Sequence, residues 1–343
     1  MEDKAIRALV VQGEQRMGDI LASVPNRAAA LEHYSKALAL LKRDPKTNRR
    51  TVISVTLNVA QMQFDAGDPA AAEDSYRDLE PIARDWYTSE PSNANAQLAL
   101  MLVRQHLGEL AMFLGDPSVA EAAIRDAIAF YETDLSTPGK RRNLAITYYK
   151  LAEAQKRAGK HSDALASCRH ALQLTENLLR DDNNNQFLLD QIQTDVLLIE
   201  LLVESNQTQE ARKETAATLT RLRPRVQSAN PDFFYLLEYV RLLDESPFEE
   251  FTTVGNTVAV ARKAVEVSRD YETLDLLARA LERNGNLREA ETTEREALTR
   301  LPALREGHPK PENRRDREAA LARMQAELAA QNNDGTRRKQ PQN

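Results

Sequence analysis

One cysteine, eleven glycines and an aromatic content of 5% leave little for several large classes of protein to be built on. A single thiol excludes an intrachain disulfide framework. Few glycines and few aromatics suit a sheet-rich fold poorly and packed amphipathic helices well. Positive charge is short as well: 46 Lys and Arg against 52 Asp and Glu give a net charge of −6. That balance argues against the broad basic footprint of a nucleic-acid binder. No stretch approaches the ~18 consecutive apolar residues of a membrane span. The segment Met1-Glu2-Asp3-Lys4 lacks the basic region and apolar core of a secretory signal. A soluble, cytoplasmic protein is expected.

Against these absences stands a period. Pro45, Pro91, Pro138 and Pro231 are separated by 46, 47 and 93 residues, and the last gap divides at Asn184 inside the run Asp181–Asn185. A fixed period of this size marks a repeat architecture, in which each unit buries its apolar face only against its neighbours. Between the marks lie two stretches with apolar residues at helical spacing. They are separated by Ala66-Gly67-Asp68, Leu114-Gly115-Asp116, Ala158-Gly159-Lys160 and Ser205-Asn206-Gln207. Gly or Asn just past a periodic run is a left-handed helix stop, and Asp68-Pro69 and Asp116-Pro117 then open the next helix. The unit reads as helix, tight turn, helix, polar junction.

The second helix of each unit repeats a small residue, a bulky one four later and a small one three after that. The sets are Ala30-Tyr34-Ala37, Ala72-Tyr76-Leu79, Ala120-Ile124-Ala127, Ala164-Cys168-Ala171, Ala211-Thr215-Thr218 and Ala290-Glu294-Ala297. Offsets of three and four keep them on one face, and small side chains there let helices approach closely. The first helices supply Gly18, Ala60, Gly108, Ala152 and Ala278. These residues resemble the tetratricopeptide repeat. The clearest unit carries Leu274, Leu277-Ala278, Leu281, Asn284-Gly285, Ala290, Ala297 and Pro302, with Glu294 in place of the usual aromatic. The resemblance implies an all-α, right-handed solenoid of about seven helix-turn-helix units over 1–302. A linker and capping helix follow over 303–331, and 332–343 is expected to be a disordered tail. Units longer than the family's ~34 residues imply extended helices. Three phrases are similar to the helical-repeat tails of bacterial serine/threonine protein kinases: Met17–Asp19, Ala28–Leu38 and Arg142–Tyr149. No kinase catalytic signature accompanies them.

Chemistry-bearing residues are few. Cys168 falls in the bulky slot, where a small buried core residue is preferred to a reactive thiol. No histidine pair has metal-ligand spacing, so no metal, cofactor or catalytic constellation is expected. Gly159-Lys160-His161-Ser162 lacks the upstream glycine and strand of a phosphate loop and reads as a turn. In Asp181–Asn185 the sixth and twelfth places of a calcium loop would be Gln186 and Ile192, so a turn and helix cap is preferred. The basic clusters at 140–142, 314–317 and 337–339 read as solvated surface. Phe233, Phe234, Phe248 and Phe251 fall beside the irregular stretch 245–255, either as packing for an insertion or as interface anchors. Trp86 reads as inter-repeat packing.

In the tetratricopeptide family, first-helix residues line the concave face, and the place after the small residue points there. Here that place holds Asp19, Gln61, Glu109, Glu153, Glu200 and Arg279. Four acids in six suggest a stripe suited to basic segments, or else the ordinary wording of the repeat. The expected contacts are Glu109, Glu153 and Glu200 with Gln105, Met112, Tyr149, Lys156 and Arg157. The resemblance implies a non-enzymatic protein- or peptide-binding scaffold or regulatory module. Its alternatives are a sensor closing on a small molecule or short peptide, and a detached kinase tail.

Overall fold

A computed structural model describes residues 4–23, 26–42, 49–252, 257–303 and 312–337. Pro45, the linker motif His308–Pro311 and residues 338–343 lie outside them. The described residues hold sixteen helices and no strand. They pair in chain order: α1 (Lys4–Ser23) with α2 (Arg27–Leu41), α3 (Arg49–Asp65) with α4 (Pro69–Ser89), and α5 (Ala94–Leu114) with α6 (Pro117–Tyr131). Next comes α7 (Pro138–Arg157) with α8 (His161–Asp181); α9 (Asn185–Glu204) packs on α8, and α10 (Thr208–Val226) follows it in the chain. A single turn, α12 (Glu249–Thr252), falls between α11 (Phe233–Glu245) and α13 (Thr257–Val267), which pack on each other. Then α14 (Tyr271–Arg283) packs with α15 (Leu287–Arg300), and α16 (Glu312–Arg337) follows.

The turns fall where the sequence places them. Gly115 closes α5 with φ 111°, and Asn206 follows α9 with φ 58°. A side chain costs least in that left-handed region when it is absent or is Asn. Asp68 and Asp116 then cap the next helices through the Ala71 and Val119 amides, at 2.9 and 3.2 Å, with Pro69 and Pro117 at the first helical position. The run Asp181–Asn185 is a turn whose Asn184 side chain accepts from the Gln186 amide at 2.8 Å.

All eighteen residues of the second-helix pattern are buried, which makes that pattern the seam along which pairs stack. The small residues are needed there. A Cβ on Gly18 would lie 2.5 Å from the Tyr34 ring, and one on Gly108 would overlap the Ala123 methyl. Trp86 of α4 packs with Ile53 of α3 and with Ala96, Ala99, Leu100 and Val103 of α5, joining successive pairs.

The described residues divide into two compact units, one running to Gln207, the other covering Thr208–Ala303 and Glu312–Arg337. This boundary lies inside the 1–302 span read as one solenoid, and α16 continues past Gln331 to Arg337. In the second unit the aromatics pack inward: Phe233, Tyr235, Tyr239 and Phe248 are buried. Arg212 covers the Phe248 ring at 5.0 Å and Arg225 the Tyr235 ring at 5.4 Å. Of the two readings of this cluster, the insertion's own packing is the one these contacts favour. The last helix is held by Met324, fully buried, and by ion pairs from Arg317 to Asp275 (3.2 Å) and Arg323 to Glu282 (2.9 Å).

Candidate functional site

In the first unit, the first helices of successive pairs share a face, and a pocket of about 150 Å³ opens on it. Gln61 and Phe64 reach it from α3, His106, Glu109, Met112 and Phe113 from α5, and Lys150 and Glu153 from α7; Tyr76 of α4 adds a wall. Gln61, Glu109 and Glu153 are three consecutive members of the stripe read from the sequence. The repeat period brings them together, because each follows the small residue that fixes its helix in the stack.

The walls are aromatic. Phe64 meets Phe113 edge to face, centroids 4.9 Å apart, and Tyr76 stacks on His106 at 4.9 Å. The Arg157 guanidinium lies over the other ring system of this group, 4.6 Å from the Phe113 centroid. At the polar end, Lys150 donates to Glu109 at 2.7 Å, Gln105 Nε2 donates to its second oxygen at 2.8 Å, and His106 Nδ1 lies 3.2 Å away. Burial pushes the Glu109 carboxyl up, but Lys150 and His106 outweigh it and hold it down at about 2. Burial, and then the Glu109 charge, pushes the Tyr76 phenol upward.

The stripe is therefore not a row of bare acids. Lys156 of α7 bridges to Glu200 of α9 at 2.5 Å, as Lys150 does to Glu109. Asp19 accepts from the Tyr34 hydroxyl at 2.7 Å, and Gln61 donates to Asp65 at 2.8 Å. In the second unit Arg279 pairs with Asp275 and Asp244 at 2.9 and 3.1 Å. Of the expected contacts, Glu109, Met112 and Glu153 line the pocket and Arg157 lies over one of its rings. Gln105 is buried, its Oε1 without a hydrogen-bond partner. Tyr149 is half-buried outside the pocket, and Lys156 and Glu200 pair beyond it.

Sequence reasoning missed Phe64, Tyr76, His106, Phe113 and Lys150. His106 and Lys150 stand three residues before Glu109 and Glu153, where the expected contacts were sought four residues before. An offset of three falls on one side of a helical row and an offset of four on the other. On α5 the four-back residue, Gln105, turns into the core.

The remaining candidates resolve as packing. Cys168 is fully buried, its thiol 3.4 Å from the Thr194 carbonyl, and burial followed by the Asp195 charge pushes its pKa upward. The cluster at 140–142 lies at the surface and is balanced by acids. Lys140 pairs with Asp134, Arg141 with Asp181 at 2.9 Å, and Arg142 with Asp190 through two bonds of 2.5 and 2.9 Å. Among the described residues no His, Cys, Asp and Glu group has the makings of a metal site, and no helix is long and apolar enough to cross a membrane.

No protein-family model matches the sequence, and no curated protein matches it. Solved structures match the fold. Aspartyl phosphate phosphatase F from Bacillus subtilis superposes with a TM-score of 0.56 at 10% identity, over 90% of this chain and 74% of that one. A Rap protein complexed with competence and sporulation factor gives 0.56 at 14%, over 94% and 77%. The fold is of the tetratricopeptide type. A tetratricopeptide repeat protein from Parabacteroides merdae matches over 92% of this chain and 99% of that one, at 11% identity and a TM-score of 0.45. The helix pairs, the left-handed turns between their members and the buried seam are this fold's features in the chain itself.

Proposed function

We propose that the chain is a non-enzymatic protein- or peptide-binding module, a scaffold or regulatory part. Its first unit holds an extended segment of a partner along the face shared by α3, α5, α7 and α9. The observation that carries this reading is the pocket on that face, walled by Phe64, Tyr76 and Phe113 and ended by Glu109 and Lys150. Apolar walls with a few fixed polar groups are what a recognition pocket needs. Its ~150 Å³ is below the ~300–1,000 Å³ of pockets that enclose whole small ligands. One anchoring side chain of a longer segment fits better than a small-molecule signal.

The same fold is seen in a Rap protein complexed with competence and sporulation factor, which supports the capacity of such a stack to hold another molecule. Glu109 and Glu200 are already paired with Lys150 and Lys156, so a basic segment has to exchange with those lysines. An apolar or aromatic anchor has no such competitor. Selection from a displayed random-peptide library on the full chain tests the reading. Recovered peptides should share an apolar or aromatic residue, and Phe64→Ala with Glu153→Gln should weaken them at least tenfold, about 1.4 kcal/mol, with the helical signal unchanged. Peptides that bind the variant as well as the parent would sink the proposal.

A further inference from the structure

Five of the nine large apolar side chains exposed by the described residues lie on one helix. Ile6, Leu9, Val10, Met17 and Ile20 of α1 are between 44% and 67% exposed. Helical spacing puts them on a single face, and Ile6, Val10, Gly13, Met17 and Ile20 alternate at four and three residues, the seam of a two-helix coil. The opposite side of α1 is already used: Val11 is buried with Ala30, Tyr34 and Ala37 of α2, and Leu21 and Ala22 pack on the same cluster. The exposed row is thus a second apolar face that none of the described residues covers.

We infer that this face is covered by the same face of a second copy, two α1 helices crossing at Gly13 about a two-fold axis. Area supports it. At ~200 Å² per residue the five expose roughly 500 Å² between them, so a pair buries on the order of 1,000 Å², the level a biological interface has to reach. Gly13 supports it independently. A glycine in mid-helix costs ~1 kcal/mol relative to alanine, yet a Cβ at Gly13 would meet no atom within 4 Å. Among the described residues nothing asks for the missing side chain, whereas two backbones crossing there do. A seam with one spacing is also its own complement, as a two-fold interface requires. A lipid surface suits α1 less well. Lys4, Arg7 and Arg16 are offset by Glu14 and Asp19, which is not the strongly basic polar face of an interfacial helix.

Sedimentation equilibrium of the full chain, from micromolar to hundred-micromolar concentration, reads the proposal directly. The mass should rise from the 38.6 kDa of one chain toward twice that value. Leu9→Lys with Ile20→Lys, both on exposed positions, should weaken association at least tenfold, while Trp86 fluorescence and helicity stay as in the parent. Mild oxidation should link Gly13→Cys into a dimer and leave Gln12→Cys, off the seam, unlinked; the native Cys168 is fully buried and contributes no background. A parent that stays at the monomer mass throughout overturns the inference. So does a dimer unaffected by the double variant, or a monomer that pellets with anionic vesicles only while its α1 face is intact.

Discussion

Glu294 is the residue at which the repeat pattern is broken, and the structure gives the break a thermodynamic consequence. Its side chain is fully buried in the slot normally filled by an aromatic, and neither carboxylate oxygen has a hydrogen-bond partner. Burial, and then the neighbouring Asp275 charge, raises its pKa from 4.5 to about 8, against the opposing pull of Arg317. Below 4.5 the group is protonated whether the chain is folded or not. Between 4.5 and about 8 the folded protein keeps a proton that the unfolded chain releases, so stability falls as pH rises through this window. Glu294→Gln removes the titration while keeping the shape. Thermal melts should show little gain near pH 4.5 and a gain on the order of 3 kcal/mol by pH ~7.5. A gain independent of pH would contradict the assignment. From the sequence, Glu294 was recognisable only as a departure; its burial and the proximity of Asp275 depend on how α14 and α15 pack.

At the scale of the helix pair, the seam sets the tolerances. Gly108 faces Ala123 so closely that a methyl group overlaps it, and overpacking of this kind costs ~1–3 kcal/mol. Gly108→Ala should therefore lower the midpoint of denaturant unfolding with an unchanged slope. A neutral or stabilising effect would mean that α5 and α6 can part without loss. Helix ends and seam residues were legible in the sequence because each depends on a local requirement: a left-handed residue after Leu114 and Ser205, a capping Asp before Pro69 and Pro117, a small residue at Ala60 and Gly108. The pocket was only half legible. Gln61, Glu109 and Glu153 follow from the period, but the ion pairs of Glu109 on α5 and Glu200 on α9 with Lys150 and Lys156 of α7, which lies between them, do not. Those pairs form between residues 41 and 44 apart in the chain. Which of two adjacent rows faces a neighbour is settled by packing.

At the scale of the molecule, the helices within each unit pack chiefly on others close to them in the chain. In such a stack a perturbation fades with distance along it. Trp86, the one tryptophan, sits in the core of the second and third pairs. Its fluorescence should report the Gly108→Ala change strongly and the Glu294→Gln change weakly, whereas far-ultraviolet circular dichroism should register both. Equal shifts by both probes for both variants would mean that the chain unfolds as one block. Neighbour-only packing has a further consequence, for the order in which the molecule is made. Its contacts close over short stretches of chain, so loop-closure costs are small and folding is fast. Domains generally fold as units during synthesis. The segment through Leu114 already contains the complete surroundings of Trp86, so this core should form while the later pairs are still being translated.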